Sequence, residues 1–471
     1  MNPQFDSRGL ERALGPVDAA ALVISNVIGV GIFTTPGIVA GMVPHPLAFL
    51  AVWIAGGALA CAGAFSYAEL AVLRPRAGGE YVYLREAFGP LAAFMTGWTS
   101  FVAGFSGAIA AGAIGLAAYL GRFLPAAADP RPLFTFPLPF LPLEVSPRTI
   151  TALAAIFGLS AIHARGLGPG RALQNLLAGL KVLSLLALIG LGFTFGAGSA
   201  ANLADTTGSF RPGGWLLALI PVMFTYSGWN AAAYVAEEVR DPDRTLPRAL
   251  ALGTGAVVII YLLLNLLYVY ALPVGRLAGE VQAGDTAAAA LFGPRGAEFL
   301  TPLMLLAVAG GLSAMILAGP RVYFAMARDG LFPAVAARVH PRYRTPAAAI
   351  FAQAAWSGLL VLSGTFEQIL LYTGFAIVLF SGVAVLALFV LRYTLPRERR
   401  AFRAWGYPVA PALFVMASFT MVANAVVASP RSSGAGMLLL AAGVPVYLWF
   451  VHRRKRTDPR GPADPSQRHK G

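Results

Sequence analysis

Residues 21–42 read ALVISNVIGVGIFTTPGIVAGM, an apolar stretch long enough to cross a bilayer as a helix. Gly29 and Gly31 lie at its middle, and a proline follows five residues after the second glycine. Small residues often allow membrane helices to pack closely, and Gly37 with Gly41 has the spacing for such a contact. Two glycines one residue apart do not share a helix face, however. The pair and the proline therefore favour a break in the helix over a packing ridge.

A break in a membrane helix leaves backbone N–H and C=O groups without partners, so broken helices persist where they line a polar cavity or bind a ligand. In a transporter of two inverted five-helix repeats, the helix that corresponds to the first is the sixth. Residues 221–238 of the sixth apolar window read PVMFTYSGWNAAAYVAEE, with polar and small residues at the middle. Two broken helices would offer N–H groups to a carboxylate and carbonyls to an ammonium group. The sequence therefore predicts a site for a zwitterion.

The composition predicts the environment of the chain. Of its 471 residues, 57% are hydrophobic and 12% are charged, and the mean hydropathy is +0.69. Soluble domains carry about a quarter charged residues, so the chain is predicted to be an all-α integral membrane protein. Windows of about twenty apolar residues predict about twelve transmembrane helices. They lie near 17–41, 46–73, 88–121, 148–164, 172–196, 214–236, 248–272, 298–327, 346–363, 367–391, 407–428 and 434–451.

The arginines predict the orientation, because cytoplasmic loops retain positive charge. A cytoplasmic N-terminus, residues 1–16, assigns most arginines to the inside and leaves these outside: Arg122, Arg131, Arg148, Arg211, Arg276, Arg295 and Arg431. Both termini are therefore predicted to be cytoplasmic. The basic tail, residues 452–471, is expected to contact anionic lipid rather than nucleic acid.

Residues for other chemistry are few. Cys61 is the single cysteine, so an internal disulfide and a cysteine metal cluster are excluded. His163, His340 and His452 lack the spacing of a two-histidine metal site, and nothing resembles a phosphate-binding glycine-rich loop. No metal and no cofactor are predicted. A channel would need a continuous polar lining, and an enzyme would need His, Asp or Glu clustered at one depth; neither pattern is present.

Lys181 is the most informative charge in the chain. The other lysines, Lys455 and Lys470, lie in the tail, so arginine is the usual cation here. Lys181 follows Arg171 by ten residues, which places it roughly 15 Å into the membrane at 1.5 Å per residue. Two interpretations stay open: a fixed cation that binds helix carbonyls, or a group that releases its proton, which an arginine cannot do.

The acidic residues constrain the substrate. Within the predicted helices they fall near the ends and not at mid-depth: Glu69, Glu237, Glu238, Asp329 and Glu367. A carrier of cationic amino acids or polyamines would gain from a buried carboxylate that faces the substrate, so neutral amino acids are favoured. Glu237 and Glu238 are expected to pair with loop arginines such as Arg240 or Arg244, with a moving cytoplasmic gate as the alternative.

The chain resembles an amino acid permease of the amino acid–polyamine–organocation superfamily, closest to the L-type amino acid transporter branch and its bacterial relatives. The resemblance covers essentially the whole chain, and several motifs in order carry it. They are GVGIF (29–33), SYAEL (66–70), RPRAGGEYVYLREAFGP (74–90), FTYSGWN (224–230), EEVRDPDRTLPRAL (237–250) and RVYFAMARDGLFP (321–333).

The resemblance implies two inverted five-helix repeats, residues 17–196 and 214–391, and two further helices over 407–451. Helices one and six would be broken, and amino acids would be carried by alternating access. Backbone N–H groups would bind the substrate carboxylate, carbonyls would bind its ammonium group, and Phe224 would be an aromatic gate. The carboxylate would be held at Ile28, Gly29, Val30 and Gly31, and the ammonium group at Asn26, Val27, Phe224, Thr225 and Ser227, with Tyr226, Gly228 and Asn230 in the same segment. Val30 stands where serine is more usual, and Ser227 where glycine is common.

By the same resemblance, Lys181 matches a lysine of sodium-independent members whose ammonium group occupies a sodium position in related carriers, and Ser313 is a candidate hydroxyl partner. This favours a sodium-independent exchanger or facilitator in the inner membrane of a bacterial cell. A proton-coupled symporter with Lys181 as the titrating group stays open. Some family members join an accessory glycoprotein through an external cysteine; Cys61 lies within helix two and does not support such a partner.

Overall fold

The computed structural model describes residues 10–137, 143–204, 212–280, 282–364, 366–395, 400–428 and 430–457. Within these residues the chain is helical, apart from one antiparallel pair of three-residue strands, Phe134–Phe136 and Leu143–Val145, in the loop between the third and fourth helices. The predicted all-α class is therefore confirmed. The side chain of Glu367 and residues 458–471 lie outside the described part.

Twelve helical spans occupy the predicted windows in chain order, and we number them as spans 1 to 12. Two further described helices, Val274–Leu277 and Ala283–Phe292, lie between spans 7 and 8 and outside the predicted windows. Among the described residues, eight helices are long and apolar enough to cross a membrane, and a bent pair makes a ninth; the others are shorter or less apolar. The spans are Pro16–Val27 with Gly31–Met42, Pro46–Leu73, Pro90–Leu120, Pro147–Ala164, Leu167–Phe195, Pro212–Thr225 with Ala231–Tyr234, Pro242–Ala271, Gly296–Ala318 with Pro320–Arg328, Ala347–Ser363, Phe366–Thr394, Val409–Ala428, and Pro430–Ala441 with Gly443–Thr457. The short helix Glu80–Phe88 precedes span 3.

Both predicted breaks are present. Span 1 stops at Val27 and resumes at Gly31, and its two halves are bent by 46°. Span 6 stops at Thr225, continues as turns through residues 226–230, and resumes as Ala231–Tyr234. The glycines of span 1 thus end the helix rather than line a packing ridge. The boundaries of the two repeats stay a prediction.

The two breaks lie in the interior of the helical bundle. The first half of span 1 packs against spans 5, 7 and 8, and its second half packs against span 6. Span 2 packs against spans 6 and 7, which carry or contact the two breaks. Neighbouring helices therefore pack against the backbone that the breaks expose, which is the condition under which an irregular segment is tolerated at membrane depth.

Candidate functional site

The break in span 1 is held by a lysine from span 5. Lys181 is fully buried, and its Nζ donates to the carbonyl oxygen of Ile28 at 2.6 Å and to that of Ser25 at 3.2 Å. Ser25 lies in the last turn before the break and Ile28 is the first residue after that turn, where the helix offers no intrahelical donor. The ammonium group therefore satisfies part of the backbone that the break releases.

Lys181 reaches this position along span 8. A Cβ added at Gly310 would lie 3.0 Å from the lysine Nζ, so the side chain runs close against the span 8 backbone. Ser313, the predicted hydroxyl partner of Lys181, bonds to a histidine instead. Its Oγ lies 2.9 Å from Nε2 of His163, and both residues are buried. Within the described residues, no carboxylate lies within ion-pair distance of Lys181. The lysine is bound by backbone carbonyls and not by a counter-charge.

The two breaks contact each other directly. The side chain of Asn26 donates to the carbonyl of Gly228 at 3.3 Å. Gly228 has a φ of +102°, and a Cβ there would lie 2.7 Å from Asn26 Nδ2, so only glycine fits this contact without strain. A Cβ at Gly31 would lie 3.2 Å from the side chain of Thr225. Asn26, Gly31, Thr225 and Gly228, which the sequence analysis assigned to one site, are therefore brought together.

A tyrosine that the sequence analysis missed joins the two breaks. The hydroxyl of Tyr261 in span 7 lies 2.9 Å from the carbonyl oxygen of Val27 and 3.4 Å from that of Thr225. Its ring packs edge-on against Trp53. The sequence of span 7 also contains Tyr268 and Tyr270. Nothing in the apolar pattern distinguishes the tyrosine that faces the breaks from these two.

Two threonine hydroxyl groups also connect the two breaks. Thr225 Oγ1 lies 2.7 Å from Oγ1 of Thr35 and 2.9 Å from the carbonyl oxygen of Pro221, and both threonines are buried. The Thr35 hydroxyl belongs to the second half of span 1, and Thr225 ends the first half of span 6. The pair therefore links the two broken helices on the other side of the gap.

The remaining predicted residues divide by exposure. Val30 is 44% exposed and Phe224 is 58% exposed, while Ile28 is buried. A Cβ at Gly29 would meet no atom within 4 Å. The segment predicted to bind a carboxylate thus borders open space at Gly29 and Val30, and the exposed Ser227 faces away from the packed core.

Tyr226 and Asn230 point into packed surroundings. Tyr226 is buried, and its hydroxyl lies 3.3 Å from the carbonyl oxygen of Trp53. Asn230 donates to Glu80 at 2.8 Å and lies 3.1 Å from the hydroxyl of Tyr234. These two side chains therefore hold the unwound segment of span 6 in place. Glu80 is buried, although it lies outside the apolar windows, where the sequence gives no sign of a site residue.

The expected partners of Glu237 and Glu238 are wrong. Glu238 forms a fully buried, two-point ion pair with Arg321 of span 8, at 2.8 and 2.9 Å. Glu237 lies 2.9 Å from Arg328 of the same span. The arginines of the 237–250 motif are close in sequence, but the turn after span 6 directs both carboxylates toward span 8 instead.

The all-helical fold and the contact between two broken helices define a polytopic membrane protein of the broken-helix transporter class. Residues 14–451 match the family model for amino acid permeases, and the chain belongs to the amino acid permease family. The resemblance noted in the sequence is thereby confirmed.

Similar proteins cover nearly the whole chain. The serine/threonine exchanger SteT of Bacillus subtilis is 30% identical over 95% of this chain and 99% of its own length. The Asc-type amino acid transporter 1 of Mus musculus is 28% identical over 95% of this chain and 82% of its own. The cystine/glutamate transporter of Homo sapiens is 28% identical over 94% and 86%. The family and these relatives are amino acid transporters or exchangers rather than enzymes.

Proposed function

We propose that this protein is a sodium-independent secondary transporter of neutral amino acids that works by alternating access as an exchanger. The observation that carries the proposal is the Lys181 ammonium group, buried and bound to the carbonyls of Ser25 and Ile28. A fixed cation at these carbonyls competes directly with a sodium ion, because both need the same oxygen ligands and their charges repel.

The substrate carboxylate would dock at the start of the second half of span 1. The N–H groups of Gly31 and Ile32 open the Gly31–Met42 helix, where no preceding turn supplies an acceptor, and the positive end of the helix dipole lies there. The N–H of Phe33 donates to the carbonyl oxygen of Val30 at 3.0 Å. The open space at Gly29 and the exposure of Val30 give a ligand access to this segment. Gly29, Val30 and Gly31 therefore form the carboxylate arm of the proposed site, whereas the N–H of Ile28 donates to the carbonyl oxygen of Ile24 at 2.9 Å and ends the first half of span 1.

The substrate ammonium group would dock at the carbonyls where the helices stop. The carbonyls of Val27 and Thr225 lie near the Tyr261 hydroxyl, and that of Phe224 accepts from the Ser227 N–H at 3.0 Å. A carbonyl oxygen has two lone pairs, so each can accept a second donor. Phe224 is the aromatic gate of this proposal.

The charges around the breaks support a neutral substrate. Lys181 is the charged side chain that the described part of the structure places against the span 1 break, and the predicted binding residues include no carboxylate. A cationic substrate would lie close to Lys181 without a counter-charge, which is unfavourable at low dielectric. SteT is named for serine and threonine, whereas another relative is named for cystine and glutamate, so uptake assays must decide the substrate charge.

Reconstituted vesicles test this proposal. Radiolabelled serine, alanine, leucine, glutamate and arginine are offered to proteoliposomes with and without internal amino acid, in sodium or choline buffer. The expected result is uptake of neutral amino acids that requires internal amino acid and is the same in both buffers. Sodium-dependent uptake would contradict the coupling, preferred uptake of arginine or glutamate would contradict the substrate class, and no uptake of any amino acid would contradict transport itself.

The alternative is proton-coupled symport through Lys181. It is favoured by one observation: within the described residues Lys181 donates to backbone carbonyls and not to a carboxylate, which leaves its charge without a counter-ion. Accumulation in empty vesicles under an inward proton gradient would support it, provided that Lys181→Arg, whose side chain stays charged, abolishes accumulation. Exchange that ignores the gradient and survives in Lys181→Arg would leave the lysine as a fixed cation.

The remaining proposals concern the orientation of the protein in the membrane and its partners. Spans 2, 8 and 10 end at Leu73, Arg328 and Thr394, and we call this end of the bundle the arginine-rich face. We propose that it is cytoplasmic, with both termini on that side of a bacterial inner membrane, because arginines concentrate there. Labelling of a cysteine introduced at Ser7 in intact and lysed cells tests this orientation, in a Cys61→Ser background. No disulfide-linked subunit is proposed, since Cys61 lies inside span 2.

A further inference from the structure

Four acidic side chains are buried within the described residues, and one of them differs from the others. Glu69, Glu238 and Asp285 each pair with an arginine, at 2.5 Å from Arg392, 2.8 Å from Arg321 and 3.1 Å from Arg122. Glu80 has no lysine, arginine or histidine within ion-pair distance in the part of the chain that the structure describes. It is therefore the buried carboxylate that lacks a compensating charge.

Neutral groups from three different spans surround Glu80. Its Oε1 lies 2.6 Å from the hydroxyl of Tyr67 in span 2, 2.8 Å from Nδ2 of Asn230 in span 6, and 3.5 Å from Oγ of Ser381 in span 10. All three can donate a hydrogen bond, which suits an ionised carboxylate. The carboxylate thus ties the unwound segment of span 6 to spans 2 and 10.

The loop before Glu80 fits tightly against span 6. The N–H of Gly78 donates to the carbonyl of Tyr234 at 3.1 Å. Gly79 has a φ of +52°, and a Cβ there would lie 2.7 Å from the Tyr234 ring. Because the backbone before Glu80 is held against Tyr234 and a helix begins at Glu80 itself, a change at Glu80 is transmitted to Asn230 and to the second half of span 6 rather than absorbed by a flexible loop.

The titratable and charged groups near Glu80 come from every element that packs on it. Tyr67 and Tyr234 bond within the cluster, and Tyr83 of the same short helix packs edge-on against Tyr67 at 5.8 Å. The arginines of span 8, Arg321 and Arg328, are bound by Glu238 and Glu237. Burial raises the pKa of Glu80 above its ordinary value, while the hydrogen bonds from Tyr67 and Asn230 lower it.

We infer that Glu80 is a proton-binding, positioning residue that links proton uptake to the movement of span 6. Ionised, it accepts hydrogen bonds from Tyr67 and Asn230 and holds span 6 in the conformation described here. When a proton binds the carboxylate, its negative charge is lost, and Oε1 becomes a weaker acceptor for the hydrogen bonds from Tyr67 and Asn230. Span 6 is then released to move. This inference rests on the proposed transport function and concerns a residue that does not touch the substrate.

The first test compares the pH profile of exchange in wild type and Glu80→Gln. Glutamine resembles the protonated acid in size and charge but does not titrate. The wild-type exchange rate should change with pH, and the rate of Glu80→Gln should lose that dependence and equal the acid limit of the wild type. A Glu80→Gln profile that is lowered uniformly but keeps the wild-type shape would show a merely structural role and overturn the inference.

A second pair of variants works even where Glu80→Gln does not fold. Tyr67→Phe removes one donor to the carboxylate, which destabilises the ionised form, so the midpoint of the pH profile should rise by about one unit. Tyr83→Phe is the matched control, because the buried Tyr83 hydroxyl has no hydrogen-bond partner among the residues that the structure describes and does not donate to Glu80. Equal midpoints in wild type and Tyr67→Phe, or equal shifts in both variants, would contradict the inference.

Infrared difference spectroscopy separates this inference from the proposed function. Acidification of purified wild type should produce the C=O stretch of a buried, protonated carboxylic acid, and Glu80→Gln should lack that band. The measurement needs no transport substrate. If the protein shows the band but exchanges no amino acid, the proposed function is contradicted and the proton site at Glu80 is supported. If it exchanges amino acids but shows no Glu80-dependent band, the proposed function is supported and the proton site is contradicted.

Discussion

The centre of the molecule and its arginine-rich face bury charge in different ways. At the centre, Lys181 donates hydrogen bonds to the carbonyls of Ser25 and Ile28, which a broken helix supplies, and has no counter-charge among the described residues. At the face, Glu69 and Glu238 are each bound by arginine side chains that belong to spans 10 and 8. Backbone carbonyls can exchange one donor for another when a helix moves, whereas a buried ion pair cannot separate without a large penalty. The face therefore fixes helices to each other, and the centre leaves the breaks free to rearrange.

Removal of one partner of a buried ion pair should have the largest effect on stability. Arg321→Met leaves Glu238 charged and buried without a partner, and we expect the free energy of unfolding to fall by about 3–5 kcal/mol. Thermal unfolding of the purified protein in detergent measures the loss. Arg328→Met is the matched control on the same span: Arg328 is 52% exposed and pairs with Glu237, so its loss should be at most about 1 kcal/mol.

A double variant sharpens this part of the comparison. Arg321→Met with Glu238→Leu removes both charges, and most of the lost stability should return because no unpaired charge stays buried. If Arg321→Met unfolds no earlier than Arg328→Met, the two regions do not differ in the way that they hold charge, and the comparison fails.

The contact between the two breaks should be the next most sensitive. Gly228→Ala forces a side chain onto a φ of +102° and places its Cβ 2.7 Å from Asn26 Nδ2. We expect a loss of about 1–3 kcal/mol in stability from the backbone strain alone, together with loss of transport. Gly279→Ala is the control, because Gly279 also has a positive φ, +79°, but its Cβ would meet no atom within 4 Å. Equal melting temperatures for the two variants would show that the Asn26 contact contributes nothing.

Several parts of the fold and site could be predicted from local sequence. The break in span 1 follows from two glycines that share no helix face, and the position of Lys181 near the middle of span 5 follows from its distance to Arg171 along one helix. Both are properties of a single segment. The same holds for the break at Ser227 and Gly228, which needed only the correspondence between the first and sixth helices.

Other parts depend on which helices are neighbours, and the sequence alone does not contain that information in readable form. Tyr261 faces the breaks only because span 7 packs against span 1. Ser313 bonds His163 rather than Lys181 because it lies on the side of span 8 that faces span 4. Glu80 lies between apolar windows, where a charged residue is expected to be solvated; its burial comes from the packing of the 74–90 loop under span 6.

Loss of the threonine pair between the breaks should have a smaller effect. Thr35→Val removes the hydroxyl that lies 2.7 Å from Thr225 Oγ1, while Thr225 retains the carbonyl of Pro221. We expect a loss of about 1 kcal/mol, the usual net contribution of one hydrogen bond. Thr34→Val is the control, since the Thr34 hydroxyl reaches carbonyls of its own helix at 3.4 Å. A stability loss in Thr34→Val as large as that in Thr35→Val would argue against a link between the two broken helices at this point.

The smallest effect on stability should be the most informative about the site. A Cβ at Gly29 would meet no atom within 4 Å, so packing does not require glycine there. Gly29→Ala should leave the melting temperature unchanged or slightly raised, because alanine restricts the unfolded chain. If the substrate carboxylate docks on this backbone, the added methyl group should raise the KM for exchange by about tenfold or more, equivalent to about 1.4 kcal/mol of lost binding. Gly190→Ala, an exposed position in span 5 that is also open, controls for the substitution itself.

Gly228 and Gly29 are then glycines for different reasons. Gly228 is needed by the protein, since Asn26 occupies the space that a side chain would take. Gly29 has no such neighbour, so the reason for a glycine at that position must come from something that approaches the backbone from the open side. Unaltered exchange in Gly29→Ala would remove that reason and move the carboxylate arm away from the span 1 break, whatever the effect of Gly228→Ala on stability. A raised KM at unchanged stability in Gly29→Ala would place the substrate carboxylate at Gly29, directly after Ile28, whose carbonyl binds Lys181.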